Sequence, residues 1–274
     1  MRTQIPIRLI GGSQPLIVVP ASFNGAPPVD CALDTGAGQC MLLPEVGASL
    51  GVAIAETRRA MGAGGPVEVQ IGRVASVAVG DATAKDLEIL MSPELARIGA
   101  VIGTRLGGNI GFNFLERFRV TIDYERLLLD LADADEPRAE SPTRVELPFT
   151  LAHPQKPLIL IAVRANDEPF QFALDTGAST TVIAPALAKR CGVEGIAIPS
   201  MSGGGGAVAA SAGVLDKLAI DRLTVSRVRV VVAEFLDALG QAVGVQLDGI
   251  LGTNVLRRFR VTIDYPGRSL RLDG

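Results

Sequence analysis

The stretch IGFNFLERFRVTIDY at residues 110–124 decides the fold, because it returns as LGTNVLRRFRVTIDY at residues 251–265. Eleven of the fifteen positions are identical, and the two copies lie 141 residues apart. A match of this length at one fixed spacing is the signature of an internal duplication. The sequence therefore predicts two similar units within the 274-residue chain.

Further matches along the chain keep this spacing to within one residue and define the extent of the units. Between the copies, residues 132–144 read ADADEPRAESPTR, a polar, charged and proline-containing stretch that is typical of a linker. We predict an N-terminal lobe over residues 1–131, a linker over 132–143 and a C-terminal lobe over 144–274.

Within each copy the pattern favours strands. Short apolar or β-branched runs such as PLIVVPASF (15–23) and PLILIAVRAN (157–166) are bounded by glycine, proline, asparagine or aspartate. One short helix per copy is predicted at 44–51 and 185–192, where proline opens the first turn and glycine follows the end. The predicted fold class is all-β, with two similar lobes and short helices.

Composition excludes several classes of function. The net charge is −3 and there is no long basic run, so nucleic acid is not an expected partner. Apolar stretches such as LILIAV at 158–163 are too short to form a transmembrane segment. The N-terminal MRTQIPIRLIGG lacks the apolar core of a signal peptide. We expect a soluble protein, either cytoplasmic or periplasmic or secreted after removal of a leader.

Cysteine and histidine are scarce. Cys31, Cys40 and Cys191 do not make a disulfide framework. A Cys31–Cys40 pair is an alternative to two small buried thiols, which are the commoner state. The single histidine, His153, lies in a polar stretch that favours the surface, and it argues against a histidine zinc site or a Ser-His pair. We expect neither a metal nor an organic cofactor.

An acidic residue recurs in an apolar, glycine-rich setting. CALDTGAGQC at 31–40 contains Asp34, and FALDTGASTT at 172–181 contains Asp175, again 141 residues later. A carboxylate among apolar residues costs free energy unless it is hydrogen-bonded or its pKa shifts. A lone Asp-Thr-Gly is most often a turn. Two copies in register within a duplication favour a functional pair instead.

Two carboxyl groups that meet at a pseudo-twofold axis share one proton, because like charges about 3 Å apart cannot both ionise. The ionised member takes a proton from a bound water while the protonated member donates to a carbonyl oxygen. The residues that follow suit this arrangement. Thr35 and Thr176 offer hydroxyls that can lock the two loops together, and Gly36 and Gly177 present backbone N–H groups to the carboxylates.

These motifs resemble those of the aspartic proteases. Asp-Thr-Gly-Ala occurs twice, and each copy is followed by an apolar-glycine element, Ile110-Gly111 and Leu251-Gly252. Lobes of about 130 residues are most similar to the retropepsin-like members, whose retroviral representatives are homodimers with one Asp-Thr-Gly per chain. This chain resembles a fused dimer of that unit, as in bacterial aspartyl proteases. The resemblance covers most of both halves.

The resemblance implies an aspartic endopeptidase with Asp34 and Asp175 as the catalytic pair and a polypeptide substrate bound in extended form. A homodimer is then not required for activity. The alternative is a binding or regulatory module that kept the fold without turnover, and the presence of both acids favours the enzyme. The supporting residues that it implies are Thr35, Gly36, Thr176 and Gly177.

The family also has a glycine-rich flap over its cleft. The candidates are MGAGGP at 61–66 and SMSGGGGAV at 200–208. Glycine runs permit the movement of a lid, although they usually form plain loops. Met61 and Met201 either line substrate pockets or fill gaps in the packing. The flap residues expected to bind substrate are Met61, Gly62, Gly64, Gly65, Met201, Gly203, Gly204 and Gly205.

One departure from the family pattern concerns Gly38, because the second copy has Ser179 and Thr180 there. In the family a hydroxyl at this place often steadies the outer carboxylate oxygen. The resemblance therefore implies unequal proton affinities for Asp34 and Asp175. Which of the two holds the proton stays open, because the pair titrates as a unit.

Overall fold

The computed structural model describes residues 1–62, 64–138, 143–154, 156–203 and 205–273. These residues form two similar eight-stranded sheets and one six-stranded sheet. The prediction of an all-β, two-lobed fold with short helices is confirmed.

The first half contains β1 (Arg2–Pro6), β2 (Arg8–Ile10), β3 (Leu16–Phe23), β4 (Val29–Leu33), β5 (Met41–Leu42), α1 (Pro44–Ser49), β6 (Glu56–Gly62), β7 (Gly65–Val79), β8 (Ala82–Met91), α2 (Glu94–Ile102), β9 (Gly108–Ile110), α3 (Phe112–Leu115), β10 (Arg119–Asp123) and β11 (Leu128–Ala132). The second half contains β12 (Thr143–Pro148), β13 (Thr150–His153), β14 (Lys156–Ala165), β15 (Glu168–Leu174), β16 (Thr181–Ile183), α4 (Pro185–Arg190), β17 (Ile196–Gly203), β18 (Gly206–Ile220), β19 (Leu223–Ala233), α5 (Phe235–Val243), β20 (Gly249–Leu251), α6 (Thr253–Leu256), β21 (Arg260–Asp264) and β22 (Ser269–Asp273).

The eight-stranded sheets share one topology. Their strand orders are β2-β3-β4-β9-β5-β8-β7-β6 and β13-β14-β15-β20-β16-β19-β18-β17, which correspond strand by strand. Further pairings of β3 with β7 and of β14 with β18 fold each sheet back on itself. In both sheets the last strand, β6 or β17, keeps one edge without a strand partner among the described residues.

The six-stranded sheet joins the halves, in the order β1-β11-β10-β21-β22-β12. At its centre β10 and β21, which carry the same sequence RVTID, pair antiparallel with Thr121 opposite Thr262. The two threonine hydroxyls are 2.9 Å apart. Because Val120 and Ile122 face Ile263 and Val261, the repeated stretch pairs with its own copy about this point.

The core extends through both halves. Alternate residues of the joining strands are fully buried, as expected for a sheet with one apolar face. Cys31 and Cys40 are buried free thiols, and burial raises the pKa of Cys40 to about 12. His153 is exposed at the end of β13, as predicted. No helix in the described part of the chain is long and apolar enough to span a bilayer.

The prediction of a helix at α1 and at α4 is correct, but the predicted number of one helix per copy is too small. Each half has two further helices among the described residues, α2 and α3 in the first and α5 and α6 in the second. The sequence of α2 places Leu95, Ile98 and Ile102 at helical spacing, and Gly103 ends it with a φ of +76°. The short α3 and α6 lie inside the repeated stretch.

Shortening a buried side chain in the six-stranded sheet should destabilise the protein. Ile122 on β10 is 0% exposed, so Ile122→Ala should lower the free energy of unfolding by about 2–5 kcal/mol through lost burial and a residual cavity. Ile54 is 54% exposed, and Ile54→Ala should change the free energy of unfolding by less than about 0.5 kcal/mol. Urea unfolding of both variants measures the difference. Equal midpoints would contradict a core that extends through the joining sheet.

Candidate active site

The loops that carry the two predicted aspartates are built in the same way. Asp34 follows β4 directly and Asp175 follows β15 directly. These strands pair in parallel with β9 and β20, which end at the first residue of the repeated stretches. The Asp34 N–H donates to the carbonyl of Ile110 at 3.0 Å, and the Asp175 N–H donates to that of Leu251 at 3.1 Å. The duplicated sequence thus presents both carboxyl groups from equivalent strand ends.

The threonines after the aspartates bind each other's loops. The Thr35 N–H donates to Thr176 Oγ1 at 3.1 Å, and the Thr176 N–H donates to Thr35 Oγ1 at 3.0 Å. Thr35 Oγ1 in turn donates to the carbonyl of Leu174 at 3.2 Å, and Thr176 Oγ1 to that of Leu33 at 2.8 Å. Both threonines are at most 1% exposed. This reciprocal, buried network fixes the relative position of the two loops.

The next residue in each loop packs against the opposite carboxyl group. A Cβ atom added to Gly36 would lie 2.6 Å from the carboxyl carbon of Asp175, and one added to Gly177 would lie 2.6 Å from that of Asp34. Any side chain there would collide with the carboxyl group, so both positions require glycine. The crossed packing brings Asp34 and Asp175 together.

The two carboxyl groups are hydrogen-bonded to each other, but their remaining donors differ. Asp34 Oδ1 accepts from the N–H groups of Gly36 and Ala37, both at 3.0 Å. Asp175 Oδ1 accepts from the N–H of Gly177 at 2.7 Å. The Gly36 N–H also lowers the pKa of Asp175, so the two carboxyl groups share one of these donors.

Burial raises the pKa of both carboxyl groups, and that of Asp175 reaches about 8. The negative charge of Asp34 is the second cause of the raised pKa of Asp175. For Asp34, the hydrogen bond from Asp175 acts in the opposite direction and lowers the pKa. At neutral pH the pair accordingly holds one proton, which the two carboxyl groups share as a unit.

The expected contribution of Ser179 or Thr180 is not seen. The side-chain hydrogen bonds of the described residues include none from either hydroxyl to Asp175. Asn109, a 5% exposed residue of β9, lies opposite Ala32 and lowers the pKa of Asp34. The sequence analysis missed this residue, although comparison of the halves places an apolar residue, Ile250, at the matching position.

Both candidate flaps are hairpins. One joins β6 to β7 through Gly62 and Gly65, and the other joins β17 to β18. Their tips touch, because a Cβ added to Gly64 would lie 2.4 Å from the nitrogen of Gly206 and one added to Gly205 would lie 2.4 Å from the oxygen of Gly65. Gly204 lies outside the described residues. Met61 and Met201 lie on β6 and β17, and Gly203 ends β17.

A carboxylate of the first half holds the tip of the second flap. The Gly205 N–H donates to Glu94 Oε2 at 3.2 Å, and Arg97 Nη1 donates to Glu94 Oε1 at 2.7 Å. Glu94 begins α2 and is 7% exposed. The matching residue of the second half is Phe235, which has no carboxylate to offer the first flap. The two flaps are thus secured differently.

Comparison with known proteins identifies one family. A family model described as aspartyl protease matches the chain twice, over residues 19–114 and 161–255, which together make up more than half of it. Each match contains one Asp-Thr-Gly loop and one distal glycine element. No curated protein matches the chain.

Loss of one threonine hydroxyl should weaken the junction of the loops. Thr176→Val keeps the shape but leaves the buried Thr35 N–H and Leu33 carbonyl without their partners, so the free energy of unfolding should fall by about 1–3 kcal/mol for each unpaired group. Thr224→Val, at an exposed position of β19, is the matched control and should have an effect below about 0.5 kcal/mol. Urea unfolding compares them. A Thr176→Val variant as stable as the control would contradict the interlock.

The carboxyl pair should also make stability depend on pH. Because the folded-state pKa of Asp175 is raised from 3.8 to about 8, the folded chain holds a proton that the unfolded chain releases above pH 3.8. Stability should therefore fall as the pH rises from about 4 to 8, and the contribution should level off above 8. Asp175→Asn should flatten this slope, and Asp221→Asn, at an exposed turn, should leave it unchanged. Urea unfolding at a series of pH values measures the slopes; parallel slopes for wild type and Asp175→Asn would refute the raised pKa.

Proposed function

Since the chain belongs to the aspartyl protease family, we propose that it is an aspartic endopeptidase in which Asp34 and Asp175 activate a water molecule to hydrolyse a peptide bond. The observation that carries this proposal is the contact of the two carboxyl groups, each packed against the glycine of the opposite loop. A binding module would not need two half-buried carboxyl groups that share a proton, and removing them from water costs stability.

The reaction uses the two carboxyl groups in different roles. Asp34, ionised and supplied with backbone donors, takes a proton from the water as its oxygen bonds to the carbonyl carbon. Asp175 gives its proton to the carbonyl oxygen, which produces a tetrahedral diol. Asp34 then returns a proton to the amide nitrogen while Asp175 recovers one from a diol hydroxyl. The C–N bond breaks, and the pair is left in its starting state with no covalent intermediate.

The supporting residues hold this geometry. The threonine network sets the separation of the loops, so neither carboxyl group needs to reorganise during the reaction. Gly36 and Gly177 keep the space between the carboxyl groups and the opposite loop free of side chains. We assign their carbonyl groups to the substrate backbone.

An extended polypeptide is the substrate that the strand arrangement suits. β6 and β17 end their sheets, and the hairpins that contain them meet at their tips. A peptide lying beneath the hairpins would add backbone hydrogen bonds of the kind that a sheet edge offers. The flap residues Gly62, Gly64, Gly65, Gly203 and Gly205 would contact it. Since one chain supplies both aspartates, the active unit is the single chain.

Removal of either carboxyl group should abolish turnover without unfolding the protein. Asp34→Asn and Asp175→Asn should each lower kcat by roughly a thousandfold or more, because one member of an acid–base pair acts only with the other. Asp221→Asn is the control and should keep wild-type activity. Profiling on a peptide library across pH measures cleavage, and the circular dichroism spectrum reports the fold. Wild-type turnover in either variant would refute the assignment, and an inactive wild type that binds peptides would point to a binding module.

A further inference from the structure

The tip of the second flap, the hairpin of β17 and β18, is bound by the opposite half of the chain. The backbone N–H of Gly205 donates to Glu94 Oε2 at 3.2 Å. Hydrogen bonds to a charged acceptor are among the stronger ones in a protein. Since Glu94 belongs to the first half, this bond restrains the second flap against a body other than its own sheet.

Glu94 is itself held in one position. It begins α2 and is 7% exposed, and its N–H donates at 3.3 Å to the hydroxyl of Ser92, which is fully buried. Its second carboxylate oxygen, Oε1, accepts from Arg97 Nη1 at 2.7 Å. A polar group whose hydrogen bonds are satisfied in this way is rigid. The carboxylate therefore offers the flap tip a fixed acceptor.

The second half offers the first flap, the hairpin of β6 and β7, no such acceptor. Phe235 stands at the position that matches Glu94, and Ala238 stands at the position that matches Arg97. Neither side chain carries an oxygen that could accept from a backbone N–H. The duplication thus kept the helix in both halves but has the carboxylate and its arginine in only one of them.

The first flap is held by weaker contacts among the described residues. Arg58 on β6 donates to Gln39 Oε1 at 3.5 Å, and its Nη2 atom lies 3.9 Å from Glu88 Oε1. The Arg58 side chain is 49% exposed, and exposed contacts of this length contribute little to stability. At its tip, the Gly64 backbone packs against that of Gly206 in the second flap. The first flap thus leans on a tip that is itself fixed.

We propose that Glu94 is a positioning residue that keeps the second flap in place at the cleft, so that a polypeptide substrate enters and the products leave by movement of the first flap. The inference rests on the proposed protease function, because it concerns how that reaction receives its substrate. A flap that is already ordered does not have to be ordered when the substrate binds, and this preorganisation strengthens binding.

Replacement of Glu94 in the full chain tests the inference. Glu94→Gln keeps the shape and one acceptor oxygen but removes the charge, and Glu94→Ala removes the acceptor. Glu45→Gln is the matched control, because Glu45 lies in the first turn of α1 in the same half and its side chain is 58% exposed. NMR measures how well each backbone amide is protected from exchange with solvent, which requires no turnover. Cleavage of peptides gives KM and kcat.

The amide protection should differ between the two flap tips. In the wild type the Gly205 amide should be protected roughly tenfold more than the Gly64 amide, because only the former has a charged acceptor. Glu94→Ala should remove this difference and Glu94→Gln should reduce it. The amide of Gly99, within α2, should keep its wild-type protection in Glu94→Gln, and Glu45→Gln should change none of these amides.

The kinetic effect should fall on substrate binding. KM should rise roughly tenfold in Glu94→Ala and less in Glu94→Gln, because the substrate must then order the second flap. The turnover number kcat should stay within about threefold of the wild type, because the paired carboxyl groups are untouched. Glu45→Gln should keep both constants.

Three results would overturn the inference. Equal protection of the Gly64 and Gly205 amides in the wild type would mean that the two flaps are held alike. Unchanged protection of Gly205 in Glu94→Ala would mean that the carboxylate does not hold the tip, and if that variant does not fold, the Gly205 amide of Glu94→Gln decides. Loss of protection throughout α2 with an unchanged KM would give Glu94 a merely structural role.

Failure of this inference is distinguishable from failure of the proposed function. If the wild type cleaves no peptide while the amides behave as expected, Glu94 holds the flap and the proposed function fails. If the wild type cleaves peptides while KM and the Gly205 amide are the same in both Glu94 variants, the proposed function stands and the inference about Glu94 fails.

Discussion

The site depends on the reciprocal hydrogen bonds between Thr35 and Thr176. Each hydroxyl accepts from the opposite backbone and donates to a carbonyl beneath the opposite loop, so neither threonine is satisfied without the other half. Because the groups are buried, an incorrect alignment of the halves would leave polar atoms unpaired, at a cost of about 1–3 kcal/mol for each atom. The network thus excludes other arrangements of the loops and holds the carboxyl groups above it in contact.

The joining sheet supplies the same constraint on a larger scale. Since β10 and β21 have identical sequences and pair antiparallel, the side chains of one copy meet those of the other about a point between Thr121 and Thr262. A shift of one residue would turn every apolar side chain of the strand to the wrong face. The register of this sheet and the threonine network therefore reinforce each other, and both support the carboxyl pair.

Much of this arrangement could be predicted from the sequence, because a duplicated sequence predicts two equivalent units with matching residues at matching places. The spacing of 141 residues is enough by itself to pair Asp34 with Asp175 and Thr35 with Thr176. The prediction of one helix per half omits α2, whose apolar residues Leu95, Ile98 and Ile102 lie at helical spacing. The contact of Gly205 with Glu94 could not be predicted, since it depends on how far one half reaches over the other.

The predicted difference in proton affinity between Asp34 and Asp175 shows the same limit of sequence-based prediction. Sequence reasoning expected a difference between the aspartates and looked for it at Gly38, next to the motif. The structure brings Asn109 near Asp34 instead, although it is distant in the sequence, because β4 pairs with β9. A comparison of the two copies position by position, Asn109 against Ile250 and Glu94 against Phe235, contains the signal, but the geometry is needed to tell which mismatches matter.

Covalent fusion of the halves has a consequence for how such a molecule can diversify. In an assembly of two identical subunits every substitution appears at both places, so a change that benefits one side of the axis is imposed on the other. Here each side is encoded separately, and mutations on the two sides are free to accumulate independently. The two lobes of this polypeptide can therefore specialise separately, whereas the two subunits of a homodimer cannot.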